Sequence, residues 1–307
     1  MSQLNSTTGS PFAWAQPHAG WLGCAADFVE LTKPRIVVME LVAVAVAAHL
    51  AAPWGVNSWL LVHTVLGAGL VAASAGAFNQ WVEQNTDARM SRTANRPLPA
   101  GRLAAWHVVM FGLVTLAAGL TQLAVFVQFA TVGWALATWM IYVLVYTPLK
   151  TRSPLNTTVG AVSGALPILI GWSATGTALD MRALAVASAM FLWQFPHFMA
   201  IAWLYRDDYA RGNQQMLTVV DPTGLRAGAQ AVVGALAIIP VSLVPALSPQ
   251  AGSSAVYCGW AIVLGAAQLA AAILFLLHRN DHTARRLLRA SLAYLICWMG
   301  LLLLVAV

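Results

Sequence analysis

The chain has 307 residues, 60% of them hydrophobic and 8% charged, and a mean hydropathy of +0.73. A soluble core has no use for that much apolar sequence, so the composition excludes an ordinary globular protein and points to a polytopic membrane protein. The formal net charge of +6 does not indicate a nucleic-acid partner, because the basic residues are distributed by membrane topology.

Windows of about 20 apolar residues predict an all-α protein with nine transmembrane helices, near 35–52, 59–79, 104–124, 126–146, 158–176, 183–203, 229–247, 255–277 and 287–306. The third and fourth run together through Gln122 and Gln128. Fifteen of the sixteen Lys and Arg residues fall before the first span or between spans 2–3, 4–5, 6–7 and 8–9. By the positive-inside rule that side is cytoplasmic, with the N-terminus inside and the C-terminus outside. Arg182 and Asp180 alone carry charge in the opposite loops. The chemistry is therefore expected at the cytoplasmic face.

Residues 1–26, with Trp14 and Trp21, carry no acid, Lys or Arg and read as a disordered or interfacial tail ahead of a membrane domain at 27–307. They contain neither a continuous signal h-region nor the arginines of a transit peptide, which favours a bacterial inner membrane. Cys24, Cys258 and Cys297 are too far apart for a metal-ligand pattern.

Lys33-Pro34-Arg35 opens span 1, where proline suits the first turn of a helix. Glu40 lies inside the span: either a functional group or a shallow carboxylate that reaches the boundary or pairs with a base. Span 2 is rich in small residues and delivers Asn79, Glu83 and Asp87 at intervals of four. On a helix these share one face, about 6 Å apart along the axis, with a drift of about 40° per step. Arg89, Arg92, Arg96 and Arg102 follow, in a loop stiffened by Pro97, Pro99 and Gly101. Carboxylates beside guanidinium groups at a membrane boundary suit an anion bridged by Mg²⁺, which takes few carboxylates and completes its octahedron with phosphate and water. The plainer alternative is a solvated helix end with i,i+4 ion pairs.

Loop 4–5 carries Lys150 and Arg152, as topology charge or as a clamp for phosphate or carboxylate. Span 5 has a Gly160/Gly164 face for close helix approach. Span 6 carries Pro196, His197 and, past its end, Tyr205-Arg206-Asp207-Asp208-Tyr209-Ala210-Arg211. Proline should free a carbonyl and kink the helix. If the helix continued ideally, His197 and Asp208 would share a face about 16 Å apart. The two acidic stretches stand four spans apart, as in a parallel internal repeat that brings its carboxylates over one cavity. A charged head beneath cations and an apolar cavity below describe an isoprenyl diphosphate. Its departing diphosphate would be stabilised electrostatically while water is kept from the allylic cation.

At these residues the sequence resembles a known family. Asn79-x-x-x-Glu83-x-x-x-Asp87 followed by Arg92-Thr-x-Asn-Arg96-Pro-Leu-Pro is similar to the first signature of the UbiA-type intramembrane prenyltransferases. Leu31-Thr-Lys-Pro-Arg-Ile36, Tyr146-Thr-Pro-Leu-Lys150-x-Arg152 and Phe195-Pro-His-Phe with Tyr205 to Arg211 resemble its haem-farnesylating branch, the protoheme IX farnesyltransferases. The resemblance runs from about residue 27 to the end. It implies nine helices around a central cavity, and conversion of haem B, farnesyl diphosphate and water to haem O and diphosphate. Haem A synthase or oxidase assembly proteins would be its partners. It further implies Asn79, Glu83 and Asp87 on one side of a Mg²⁺–diphosphate and Asp207 and Asp208 on the other. Arg92, Arg96, Lys150, Arg152, Tyr205 and Arg211 would bind diphosphate or haem propionates, and His197 would contact haem. Glu83 stands where the family usually has Asp, and Gly212-Asn-Gln-Gln215 replaces the usual Ala-Gly; both could change metal geometry. The alternatives are a related enzyme acting on a quinone precursor or chlorin, a transporter and a haem chaperone. Transport is disfavoured because the carboxylates lie at one face and not at the midplane, and a chaperone leaves two acidic clusters without purpose.

Overall fold

A computed structural model describes residues 20–52, 54–247 and 254–305. Most of the expected tail, including Trp14, lies outside the described residues; from Trp21 the chain is helical. The elements are α1 (Trp21–Leu31), α2 (Pro34–Ala51), α3 (Ser58–Asp87), α4 (Ala105–Phe126), α5 (Phe129–Met140), a π-helical stretch (Ile141–Tyr146) and α6 (Thr147–Leu149). There follow α7 (Asn156–Ala174), α8 (Met181–Leu204), α9 (Arg206–Arg211), α10 (Leu217–Val220), α11 (Leu225–Leu243), a 3₁₀ turn (Val244–Leu247), α12 (Ser254–His278) and α13 (Asp281–Val305). Among the described residues nine helices are long and apolar enough to cross a membrane, α5 to α6 counting as one crossing. The third and fourth spans, which run together in sequence, separate at Val127–Gln128.

Lipid as solvent explains the surface: Leu66, Val114, Val233 and Leu277 are all more than half exposed, positions that would be wasteful in water and are ordinary against acyl chains. Helices meet through small residues. A Cβ on Gly171 of α7 would stand 2.0 Å from the Val44 carbonyl oxygen of α2, and one on Gly119 of α4 would stand 2.8 Å from that of Gly67 on α3. Such close approach supplies the dispersion contacts that hold a bundle where hydrophobic transfer cannot. Pro196 lies inside α8. Gly234 of α11 packs on that turn, where a Cβ would meet the Phe195 Cβ at 2.9 Å and the Leu192 oxygen at 3.1 Å.

Two local features place the site. Helix α3 has 30 residues, about 45 Å at 1.5 Å per residue, against a hydrocarbon core of about 30 Å. Its last turns, from Asn79 to Asp87, therefore stand at the boundary of the bilayer. The second feature is the π-helical stretch. Pro148 has no N–H with which to continue an α-helical ladder, and in the turn before it the Thr147 N–H reaches the Tyr142 carbonyl, five residues back. That register turns Tyr142 and Tyr146 toward the same boundary; single π turns are common where a helix serves a site.

Candidate active site

Asn79, Glu83 and Asp87 are all buried on the inner face of α3, and each faces a cation from a different part of the chain. The Lys33 ammonium donates to Asn79 Oδ1, Lys150 Nζ lies 2.7 Å from Glu83 Oε1, and Arg96 Nη1 donates to Asp87 Oδ2 at 2.6 Å. The Asn79 amide donates to Thr147 Oγ1 at 2.9 Å, and Thr147 Oγ1 in turn donates to the Tyr142 carbonyl at 2.8 Å. The i, i+4, i+8 face is thus an ordered acidic strip beneath three cations, and not a solvated helix end.

Lys33 sits in left-handed backbone at φ 53°. A residue that precedes proline normally stays extended, and such a conformation costs on the order of 1–3 kcal/mol. It is held because it turns the side chain back over Asn79, with Tyr142 Oη at 3.5 Å. Burial lowers the Lys33 pKa to about 7, aided by the nearby charges of Arg96 and Lys150 and opposed by Glu83 and Asp87. Burial also works against the Lys150 ammonium, but Glu83 outweighs it and raises that pKa above the usual lysine value. Lys150 lies over the Tyr146 ring, 4.7 Å from its centroid, a cation–π contact.

The second acidic stretch divides. Asp207 is exposed and Asp208 buried. Asp208 Oδ1 accepts from the Ser91 amide at 3.1 Å and the Ser91 hydroxyl at 2.8 Å, and from Arg211. Burial pushes the Asp208 carboxyl up, but these bonds from Ser91 and Arg211 prevail and hold it below the usual carboxylate range. The carboxylate therefore fastens α9 to the loop after α3. Arg92 of that loop lies 4.8 Å from the Tyr205 ring centroid and 5.9 Å from that of Tyr209. The Gln215 amide donates to the Lys150 carbonyl at 2.6 Å and Asn156 Nδ2 to the Gln215 carbonyl at 2.9 Å, so Gly212–Gln215, where the sequence departs from the family pattern, builds this seam. Asn213 takes the left-handed conformation at φ 54° that lets the chain turn there.

Two expectations need revision. Helix α8 ends at Leu204 and Tyr205 takes non-helical backbone, so the common face of His197 and Asp208 is lost at that break. Arg102 belongs to α1: its guanidinium donates to Asp27 at 2.8 Å and Glu30 at 3.2 Å. Arg152 is exposed and lies outside the cation group formed by Lys33, Arg96 and Lys150. The signals for Lys33, Tyr142, Thr147 and Ser91 were weak in sequence. Lys33 looked like topology charge, and the others acquire their role only from the π turn and the α9 docking.

Beneath the acidic strip lies a cavity of about 400 Å³, within the range of small-molecule sites, lined mostly by apolar side chains, with Lys33, Arg35, Glu40, Tyr142, Gln194 and His197 among its polar members. Gln194 is pinned by its amide donating to the Ala161 carbonyl at 2.9 Å, which Gly164 permits, since a Cβ there would fall 2.2 Å from Gln194 Oε1. Among the described residues no three His, Cys, Asp or Glu side chains converge as a ready-made metal site. The residues nonetheless fit Mg²⁺: Asp87 Oδ1 is buried and meets no hydrogen-bond donor, and Mg²⁺ takes one or two carboxylates and draws its other ligands from phosphate and water.

Residues 41–300 match the UbiA prenyltransferase family. The protoheme IX farnesyltransferase of Solibacter usitatus is 41% identical over 288 residues, covering 91% of this chain and 98% of that protein. That of Rhodopirellula baltica is 42% identical over 275 residues, covering 87% and 95%. A UbiA homologue from Archaeoglobus fulgidus bound to GPP and Mg²⁺ superposes with a TM-score of 0.64 at 13% identity, covering 90% of this chain and 99% of that one. A structure concerning digeranylgeranylglyceryl phosphate synthase in membranes gives 0.75 at 14%, covering 92% and 98%. At those identities the likeness carries the fold alone. The fold, the extent of the match and the similarity to whole farnesyltransferases together place this multi-pass membrane protein in the UbiA prenyltransferase family, as a prenyltransferase enzyme.

Proposed function

We propose that this enzyme transfers the farnesyl group of farnesyl diphosphate to a vinyl group of haem B, with addition of water, giving haem O and diphosphate. One observation carries the reading: a buried acidic strip under three cations stands over an apolar cavity that reaches His197. The similarity to protoheme IX farnesyltransferases along nearly their whole length supports haem as the acceptor.

In this reading Asn79, Glu83 and Asp87 hold Mg²⁺ from one side and Asp208 from the other, with Asp207 as an outer member. Bound Mg²⁺ supplies positive charge for the departing diphosphate. Lys33, Lys150 and Arg96 turn from the acids to the phosphate oxygens, where they stabilise the charge that develops as the C1–O bond breaks. Arg92, Arg152, Tyr205 and Arg211 at the rim bind diphosphate or haem propionates. The apolar walls take the prenyl chain and keep water from the allylic cation until the vinyl carbon is in place. Farnesyl C1 bonds to the terminal vinyl carbon, water adds to the inner one, and one proton is released.

The charge distribution of the loops supports an active site toward the cytoplasm of a bacterial inner membrane, with the N-terminus inside. Partners there would be haem A synthase or oxidase assembly proteins. Purified protein with haem B, farnesyl diphosphate and Mg²⁺ should yield a haem bearing a hydroxyethylfarnesyl group, seen by mass spectrometry and lost with EDTA. Prenylated hydroxybenzoate in place of the haem product would overturn the acceptor.

A further inference from the structure

The cavity holds one histidine whose surroundings decide which nitrogen is free. Ser291 of α13 is fully buried. Its hydroxyl donates to the Leu288 carbonyl at 2.8 Å, which uses its only proton. The same oxygen lies 3.0 Å from His197 Nδ1, so it accepts there and Nδ1 carries the hydrogen. The Ser291 carbonyl accepts from Trp193 Nε1 at 2.6 Å, and the imidazole stacks on that indole with centroids 4.8 Å apart at 24°. Two bonds to one residue and one stacking surface therefore fix both the ring plane and the tautomer. His197 lines the cavity, and its Nε2, an unprotonated nitrogen with a lone pair, is the ring atom left for a ligand. Among the described residues none donates to it.

A neutral imidazole whose second nitrogen donates to a buried oxygen is the arrangement by which proteins orient a metal-ligating histidine and raise its basicity. Most buried polar atoms are satisfied within the protein; His63 Nε2 and His107 Nδ1 are buried without a partner, but neither histidine lines this cavity. We propose that His197, oriented by Ser291, ligates the iron of the haem substrate through Nε2 and so sets the depth and the plane in which the vinyl group meets the prenyl chain. This rests on haem being the acceptor. His197 is then a positioning residue, acting on the porphyrin through its iron and not on the reacting carbons.

The test is optical titration of the full-length protein in detergent with haemin and with iron-free protoporphyrin IX, without farnesyl diphosphate. Wild type should bind haemin with the absorption and electron-paramagnetic signature of a histidine-ligated iron, and should prefer it to the iron-free porphyrin by about tenfold or more, a difference of about 1.4 kcal/mol or more. His197→Ala should lose that signature and that preference, and added imidazole should restore the signature. Ser291→Ala, which removes no cavity-lining atom, should keep a histidine-ligated haem but lower its iron–histidine stretching frequency, because Nδ1–H has lost its acceptor. Haemin bound by wild type and His197→Ala with the same spectrum would overturn the ligation and leave the acceptor standing. Failure of folded wild type to bind haemin at all would remove the acceptor, and the ligation with it.

Discussion

Asp87→Asn isolates the electrostatic part of the acidic strip. The change keeps the shape of a side chain that is 1% exposed and removes one negative charge. At about 4 Å and an effective dielectric of about 20, one unit charge is worth about 4 kcal/mol to a cation beside it, or about three decades in rate or binding. The folded protein should tolerate the change. Arg96, the partner of Asp87, keeps 20% of its side chain in solvent, so the loss should be nearer that of a surface pair, about 1 kcal/mol. We expect kcat/KM for farnesyl transfer to fall about 10²- to 10³-fold, partly recovered at higher Mg²⁺, with a near-wild-type melting midpoint in detergent. Asp87→Ala should abolish turnover. The assay is Mg²⁺-dependent release of diphosphate, followed with the haem products. Turnover by folded Asp87→Asn within threefold of wild type at ordinary Mg²⁺ would refute a metal or leaving-group role for this carboxylate.

Four further outcomes follow from the geometry. Asp208→Ala should cost far more activity than Asp207→Ala, since Asp208 alone is buried and accepts from Ser91 and Arg211; equal losses in parallel kinetics would argue against the division of roles. Arg92→Ala removes a cation stacked on Tyr205 at 4.8 Å and should raise KM for farnesyl diphosphate about tenfold or more, from a charge-assisted bond worth about 1.5–3 kcal/mol, with kcat less affected; an unchanged KM would place the diphosphate elsewhere. Gly171→Ala drives a Cβ to within 2.0 Å of the Val44 oxygen and should cost at least about 1–3 kcal/mol, seen as an earlier thermal aggregation midpoint. Gly133→Ala, with open space around its Cβ, should be neutral or gain up to about 1 kcal/mol of helix propensity.

The nine spans and the acidic face of α3 were legible in sequence because both are local. Hydropathy over about 20 residues and a spacing of four depend on no distant contact. Pro34 at the start of α2 was readable for the same reason. What the one-dimensional pattern could not supply was partnership. Lys33 is 46 positions from Asn79, and Lys150 lies farther still from Glu83. Nothing local distinguishes either from the arginines that merely obey topology. The π turn before Pro148 carries no periodic signature, yet it aims Tyr142 and Tyr146 at the site. Asp207 and Asp208 are identical in kind and adjacent; only the break at Tyr205 decides which is buried. The sequence by itself thus determined class, spans and the chemistry available at one face. Tertiary structure alone decided which cation meets which carboxylate and which histidine nitrogen meets Ser291, because a charge or a lone pair acquires a role from what packs against it in three dimensions.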